Sequence, residues 1–168
     1  MEIALTKLTE RDAEDLFRFE IENRAYFEEM VPTRGEDYYK FDGFLTRHEA
    51  LLSEQSRGDA TFYLVRNQEG HIVGRMNISV DEKMHGDLGY RIGRDYAKGV
   101  AKQALKALME EVKGTGVKRI HAKTTSNNIA SQKVLEKNGF RCVGFDDESF
   151  SMNGEKMNFV YYMWSENN

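Results

Sequence analysis

The sequence predicts a mixed α+β fold with elements in the order β-α-α-β-β-β-α-β-α-β-β. Three stretches carry that expectation. Leu88, Tyr90 and Ile92 alternate as in a strand. Beyond a small-residue turn, Val100, Ala101, Ala104, Leu105, Leu108, Met109 and Val112 recur at the i, i+3, i+4 spacing of one buried helix face. Residues 61–66 and 72–80 are two strand-like runs around the turn Asn67-Gln-Glu-Gly70. Residues 128–139 form a short capped helix between strands, with Asn128 as N-cap and Gly139 as a left-handed C-cap before apolar Phe140.

The remaining elements follow in order. Ile3, Leu5 and Leu8 place an opening strand over 2–8. Thr9-Glu-Arg-Asp12 offers a capping box, with Asp where Glu is usual, and Ala13, Leu16, Phe17 and Ile21 continue at helical spacing. Aromatic and charged residues crowd 22–34, where the single proline, Pro32, ends local helix. Tyr39, Phe44, His48, Leu51 and Leu52 predict a helix over 36–57, which Gly43 weakens. A polar loop spans 81–86, and 119–124 reads as a further strand. Arg141 starts a strand running to about Phe150, Asn153-Gly154 forms a type I′ hairpin, and 158–164 is the closing strand.

Composition bounds the function. The 168 residues suffice for one domain, taken as 1–168, with a substantial core. A net charge of -4 argues against nonspecific nucleic-acid binding and tolerates a cationic partner. No apolar run is long enough for a membrane span, and Met1-Glu2-Ile3-Ala4 shows no leader pattern. The single Cys142 cannot form an internal disulfide, which suits the cytoplasm, and it reads as a buried structural thiol. His48, His71, His85 and His121 are scattered, so no metal is expected.

The strand, small-residue turn and helix start around Ala97-Lys98-Gly99 make a phosphate cradle, because helix N-terminal amides are unpaired and carry partial positive charge. The bland alternative is an ordinary strand-to-helix turn. A Walker A loop is excluded by Lys98-Gly99-Val100, and no G-x-G-x-x-G occurs. Tyr96-Ala97-Lys98-Gly99-Val100-Ala101 resembles the pyrophosphate loop of the GNAT acyl-CoA N-acyltransferases, Gln/Arg-x-x-Gly-x-Gly/Ala. Gly99 and Ala101 match. Tyr96 replaces Gln or Arg, and Ala97 sits where Gly is common. Asn128-x-x-Ser131-x-x-Val134-Leu135-Glu136-Lys137-x-Gly139-Phe140 is similar to a signature of the RimJ/RimL-type branch, which modifies ribosomal-protein N-termini. So is the Asn-Arg-x-x-Phe…Pro-x-Arg stretch from Asn23 to Arg34. The resemblance covers nearly the whole chain and implies a GNAT fold, a central, mostly antiparallel mixed sheet with helices on both faces.

The resemblance also implies roles. Backbone amides from Ala97 through Lys98, Gly99, Val100 and Ala101 to Lys102, with Tyr96 before them, would hold the pyrophosphate of acetyl-CoA. The backbone of Tyr90, Arg91 and Ile92 would pair with pantetheine, one amide stabilising the oxyanion. Asn128 would bond the pantetheine region, and Lys133 would reach the ribose phosphate. Ser131 would serve the departing sulfur as acid, with Tyr161 or Tyr162 as substitutes. Glu148, beside Asp146 and Asp147, is the chosen base, with Glu20 next. Asn158 stands where relatives often have Asp. Asn23, Arg24, Phe27, Arg34 and Tyr38 are candidates for acceptor contact. Each has a plain alternative as core, cap or solvated charge.

The expectation is therefore an acetyl-CoA-dependent N-acetyltransferase working by direct transfer. Its acceptor is either a protein N-terminal amine or a small amine such as a polyamine, amino acid or antibiotic. An α-amine, with a pKa near about 8, needs only modest help to be neutral. Two other classes stay open: a non-catalytic acyl-CoA sensor, and a structural partner that binds no CoA. A homodimer is among the states the resemblance allows.

Overall fold

The computed structural model describes residues 2–166, apart from the side chains of Ala97 and Lys98. A seven-stranded sheet runs in the order β1-β2-β3-β4-β5-β9-β6. Its strands are β1 (Ile3–Lys7), β2 (Ala60–Asn67), β3 (Ile72–Val80), β4 (His85–Ile92), β5 (Arg119–Thr125), β6 (Arg141–Phe145) and β9 (Phe159–Ser165). All neighbours are antiparallel except β4 and β5. A separate hairpin pairs β7 (Phe150–Met152) with β8 (Glu155–Met157). Its turn residues Asn153 and Gly154 have φ of 53° and 81°, as type I′ requires. The helices are α1 (Ala13–Glu22), α2 (Arg24–Glu28), α3 (Phe41–Ser56), α4 (Ala97–Lys113) and α5 (Ile129–Lys137).

Strand alternation divides the core in two. Tyr63 and Val65 of β2, Met76 and Ile78 of β3, and Leu88 and Ile92 of β4 face α4. There they meet Val100, Ala104, Leu105 and Leu108, together with Leu135 of α5. The intervening residues Phe62 and Leu64 face the other way, into a core with Leu16, Phe19, Phe27, Phe44 and Leu51 from α1, α2 and α3. Residues of opposite parity on one strand thus serve opposite faces, and this sorts the polar residues of β3 and β4 as well.

Four expectations need correction. The predicted helix over 36–57 is split. A 3-10 turn at Glu36–Tyr39 ends at extended Lys40 before α3 begins. The first turn of α3 folds back onto this 3-10 turn, where a Cβ on Gly43 would lie 2.1 Å from the Asp37 carbonyl oxygen. Gly43 is thus a contact requirement rather than a weak helix position. The central strand starts at His85, three residues before Leu88, and shortens the preceding loop. The strand begun at Arg141 stops at Phe145, not near Phe150. A register shift between Cys142 and Gly144 marks its irregularity, and Asp146 and Asn158 bond across the point where β6 leaves β9. Finally, Cys142 is exposed, not buried. It lies on edge strand β6, whose Val143 and Phe145 are exposed as well.

The capping box at Thr9 forms: the Thr9 amide donates to Asp12 Oδ2 at 2.8 Å. The other Asp12 oxygen accepts from Arg66 at 2.7 Å, tying the start of α1 to β2. No described helix is long and apolar enough to cross a membrane.

Candidate active site

β4 and β5 pair only over His85–Arg119, Gly86–Ile120 and Asp87–His121. Both strands continue, β4 to Ile92 and β5 to Thr125, but without partners for each other. The sheet therefore opens in its middle, leaving backbone groups of residues 88–92 unpaired on one side. Backbone donors and acceptors that leave water need partners, so this edge is open to hydrogen bonding from outside the sheet. A cavity of about 540 Å³ lies at the opening.

One wall of the cavity comes from α5. The Asn128 side chain accepts from the Ser131 amide at 3.1 Å, capping the helix as predicted. Ser131 Oγ lies 2.9 Å from the Tyr90 hydroxyl, and both residues line the cavity. Burial raises the Tyr90 pKa, against an opposing pull from the Ser131 bond, so the phenol stays protonated at neutral pH. Tyr90 was expected to contribute through its backbone alone. Its side chain instead pairs with the residue expected to serve the leaving group.

The opposite wall is cationic. Arg75 and Arg91 are direct cross-strand neighbours, a juxtaposition of like charges that is unfavourable alone. Fully buried Glu20 of α1 resolves it, accepting from Arg75 Nη1 at 2.8 Å and from Arg91 Nη1 at 2.9 Å. Arg75 also donates to the Tyr38 hydroxyl at 3.2 Å. Burial pushes the Glu20 carboxyl up, but Arg75 and Arg91 outweigh it and hold it below the usual carboxylate range. A carboxylate so engaged is a poor proton acceptor, which argues against Glu20 as a base. The Arg91 guanidinium also sits 4.5 Å above the Phe27 ring, and that of Arg34 lies 5.2 Å from the Tyr38 ring centre.

Among the acceptor candidates, Phe27, Arg34 and Tyr38 line the cavity; Asn23 and Arg24 do not. Asn23 ends α1, donating to the Phe19 carbonyl at 2.9 Å and accepting from the Arg94 amide at 2.8 Å. Arg24 bonds Glu28 and Glu36 and covers the Tyr39 ring. In the loop, Tyr96 packs against the α4 core, which accounts for an aromatic where Gln or Arg is usual. Gly99 has φ of 83°, a left-handed conformation inside the first turn of α4, and no atom lies within 4 Å of where its Cβ would be. Glycine is therefore demanded by backbone conformation and not by crowding. Val100 and Ala101 are buried, and Ala101 with Arg91 and Ile92 reaches the cavity. Lys102 and Lys133 are exposed.

The late strands place their side chains elsewhere. Glu148 is exposed in the loop between β6 and β7. Tyr161 donates to both Asp146 oxygens, each at 3.0 Å, and that bond is the first cause of its raised pKa. Tyr162 is buried against α5 and donates to Glu136 at 3.1 Å; burial and that carboxylate push it up to about 12. Among the described residues, neither Glu148, Tyr161 nor Tyr162 lines the cavity, and no group of His, Cys, Asp and Glu is arranged to hold a metal.

Sequence reasoning missed Arg75, Asn77 and Arg47 as lining residues. A signal existed: Arg75 and Asn77 interrupt an apolar strand at alternate positions, so they share a face opposite Met76 and Ile78.

The chain thus combines a mixed sheet parted between its two parallel strands with a capped helix and a glycine-bearing helix start beside the gap. Residues 2–141 match the family model described as the acetyltransferase (GNAT) domain, and the chain belongs to that family of N-acetyltransferases. It is 26% identical over 156 residues to the probable N-acetyltransferase YjcK of Bacillus subtilis, covering 85% of this chain and 82% of that one. Its fold matches the ribosomal-protein-S5-alanine acetyltransferase of Vibrio fischeri with a TM-score of 0.89 at 21% identity, covering 100% and 95% of the two chains. It also matches RimL, a ribosomal L7/L12 alpha-N-protein acetyltransferase solved with coenzyme A, with a TM-score of 0.86 at 20% identity over 97% and 93%.

Proposed function

We propose that this enzyme moves an acetyl group from acetyl-CoA directly to a primary amine, either a protein N-terminus or a small molecule. The supporting observation is the unpaired edge of β4 facing the Ser131–Tyr90 pair across one cavity. Acetyl-CoA supplies an activated thioester. The residues present suit it: the edge of 88–92 offers main-chain partners to pantetheine, and the left-handed turn at Gly99 shapes the helix start for a pyrophosphate. Asn128 and Lys133 lie along the same side in this reading.

In the transfer, the amine nitrogen forms a bond to the acetyl carbon and gives up one proton, the carbon–sulfur bond breaks, and the departing sulfur gains a proton, so the thiol leaves neutral. A backbone amide of β4 meets the developing oxyanion. Ser131 Oγ donates toward the sulfur and Tyr90 steadies that hydroxyl. Glu148 and Tyr161 have no part in this scheme. The cationic wall disfavours an ammonium, so the acceptor enters neutral without a carboxylate base. The single unpaired cysteine suits work in the reducing cytoplasm.

The test is calorimetric titration with acetyl-CoA, using ADP as control, followed by amine-dependent thiol release. Saturable binding of acetyl-CoA and acetylated amine product support the reading. No binding at millimolar acetyl-CoA refutes it.

A further inference from the structure

We infer that the acceptor is a compact primary amine carrying its own anionic group, a carboxylate or a phosphate, and not a polyamine. The inference rests on the N-acetyltransferase reading and deepens it. The cavity lining contains Arg34, Arg47, Arg75, Arg91 and Lys123, and among the described residues it contains no carboxylate and no histidine. The adjacent carboxylate, Glu20, is buried behind the wall and shared between Arg75 and Arg91, so it neutralises only one of them. Arg34 and Arg47 form no ion pair among the described residues, and Arg34 rests on the Tyr38 ring.

These arginines are not placed for the cofactor's phosphates. Arg91 alternates with Tyr90 along β4, so it faces α1 while Tyr90 faces α5 and the glycine-bearing turn begins α4 on that other face. The excess charge therefore belongs to the acceptor's half of the cavity. Guanidinium forks recognise carboxylate and phosphate oxygens in pairs and repel a second ammonium. Asn77 follows Arg75 by two residues on the same face of β3, lines the cavity and sits opposite Gly89 of β4. Its Oδ1 is 2.6 Å from where a Gly89 Cβ would stand, so it occupies the space that glycine leaves. There it offers an amide to the acceptor's polar backbone or amine.

The experiment compares acceptors that share an amine and differ in charge. β-Alanine is set against β-alaninamide, O-phosphoethanolamine against ethanolamine, and a tripeptide with aspartate at its second position against the asparagine version; putrescine is the dication. Thiol release is measured for each, and each is also titrated into protein saturated with CoA. One anionic member should exceed its neutral partner by about 100-fold in kcat/KM or in affinity, and which pair does so identifies the anion. Arg34→Gln and Arg47→Gln should each shrink that ratio about tenfold while acetyl-CoA affinity stays unchanged, which shows the variants are folded. Equal use of charged and neutral partners, a preference for putrescine, or an unchanged ratio in both variants overturns the inference and leaves acetyl transfer standing. Failure to bind acetyl-CoA at all overturns both.

Discussion

Replacing Glu20 by Gln keeps the shape of the side chain and removes the charge that holds Arg75 and Arg91 together. In the native protein this carboxylate has no exposed surface, and each of its oxygens accepts from one guanidinium, at 2.8 and 2.9 Å. A glutamine presents one acceptor and one NH2 group to two donors, so one arginine loses its partner and faces a like donor. Breaking a buried pair in this way costs about 3–5 kcal/mol. For a chain of this size, at roughly 2–4 °C per kcal/mol, the melting temperature should fall by about 10 °C. Urea denaturation followed by far-UV circular dichroism should show the same loss as a lower midpoint at unchanged slope. Acid titration provides a second arm. The folded carboxyl lies below the ordinary value of about 4.3, so its contribution is complete above that pH and is lost as pH falls through the folded value. Glu20→Gln should remove that part of the acid-induced decline. A loss under about 1 kcal/mol, with an unaltered acid limb, would show that Glu20 does not hold the two arginines, and the account of the cationic wall would fall with it.

Other outcomes follow from the same geometry. Ser131→Ala should lower kcat by about 10²-fold with little change in acetyl-CoA affinity, whereas an unchanged kcat would remove Ser131 from the transfer. Gly43→Ala should cost about 1–3 kcal/mol in urea denaturation, because its Cβ would meet the Asp37 carbonyl; a neutral effect would mean the 3-10 turn shifts freely. Exposed Cys142 should react with a thiol-specific disulfide reagent in the folded protein at one equivalent per chain, and protection until denaturant is added would contradict its position on the edge strand.

Periodicity and punctuation were the legible part of this chain. Leu88, Tyr90 and Ile92, the helical stripe from Val100 to Val112, the Asn128 cap and the Asn153-Gly154 turn all stand where their local chemistry puts them. These are short-range signals, set by neighbours a few residues apart. Gly43 was misjudged because helix propensity knows nothing of the Asp37 backbone beneath it. Cys142 was misjudged because its exposure depends on β6 being an edge, a matter of strand order. The cationic wall lay furthest from view. Glu20, Arg75 and Arg91 come from three distant segments, and the net charge of -4 pointed to tolerance of a cation where the cavity presents the reverse. Total charge reports on the surface as a whole, while recognition depends on where a few charges are gathered.

The parting of β4 from β5 has a mechanical consequence. The sheet is in effect two panels, β1 to β4 and β5 with β9 and β6, fastened by three residue pairs at one end and spanned by the packing of α4. In the proposed function a ligand lying along β4 would supply the missing rungs, so occupancy would stiffen the joint between panels as well as fill a hollow. Main-chain amides of 88–92 and of the distal half of β5 should then exchange more slowly together, and the protein would sense its acyl donor as a splint before any bond is made.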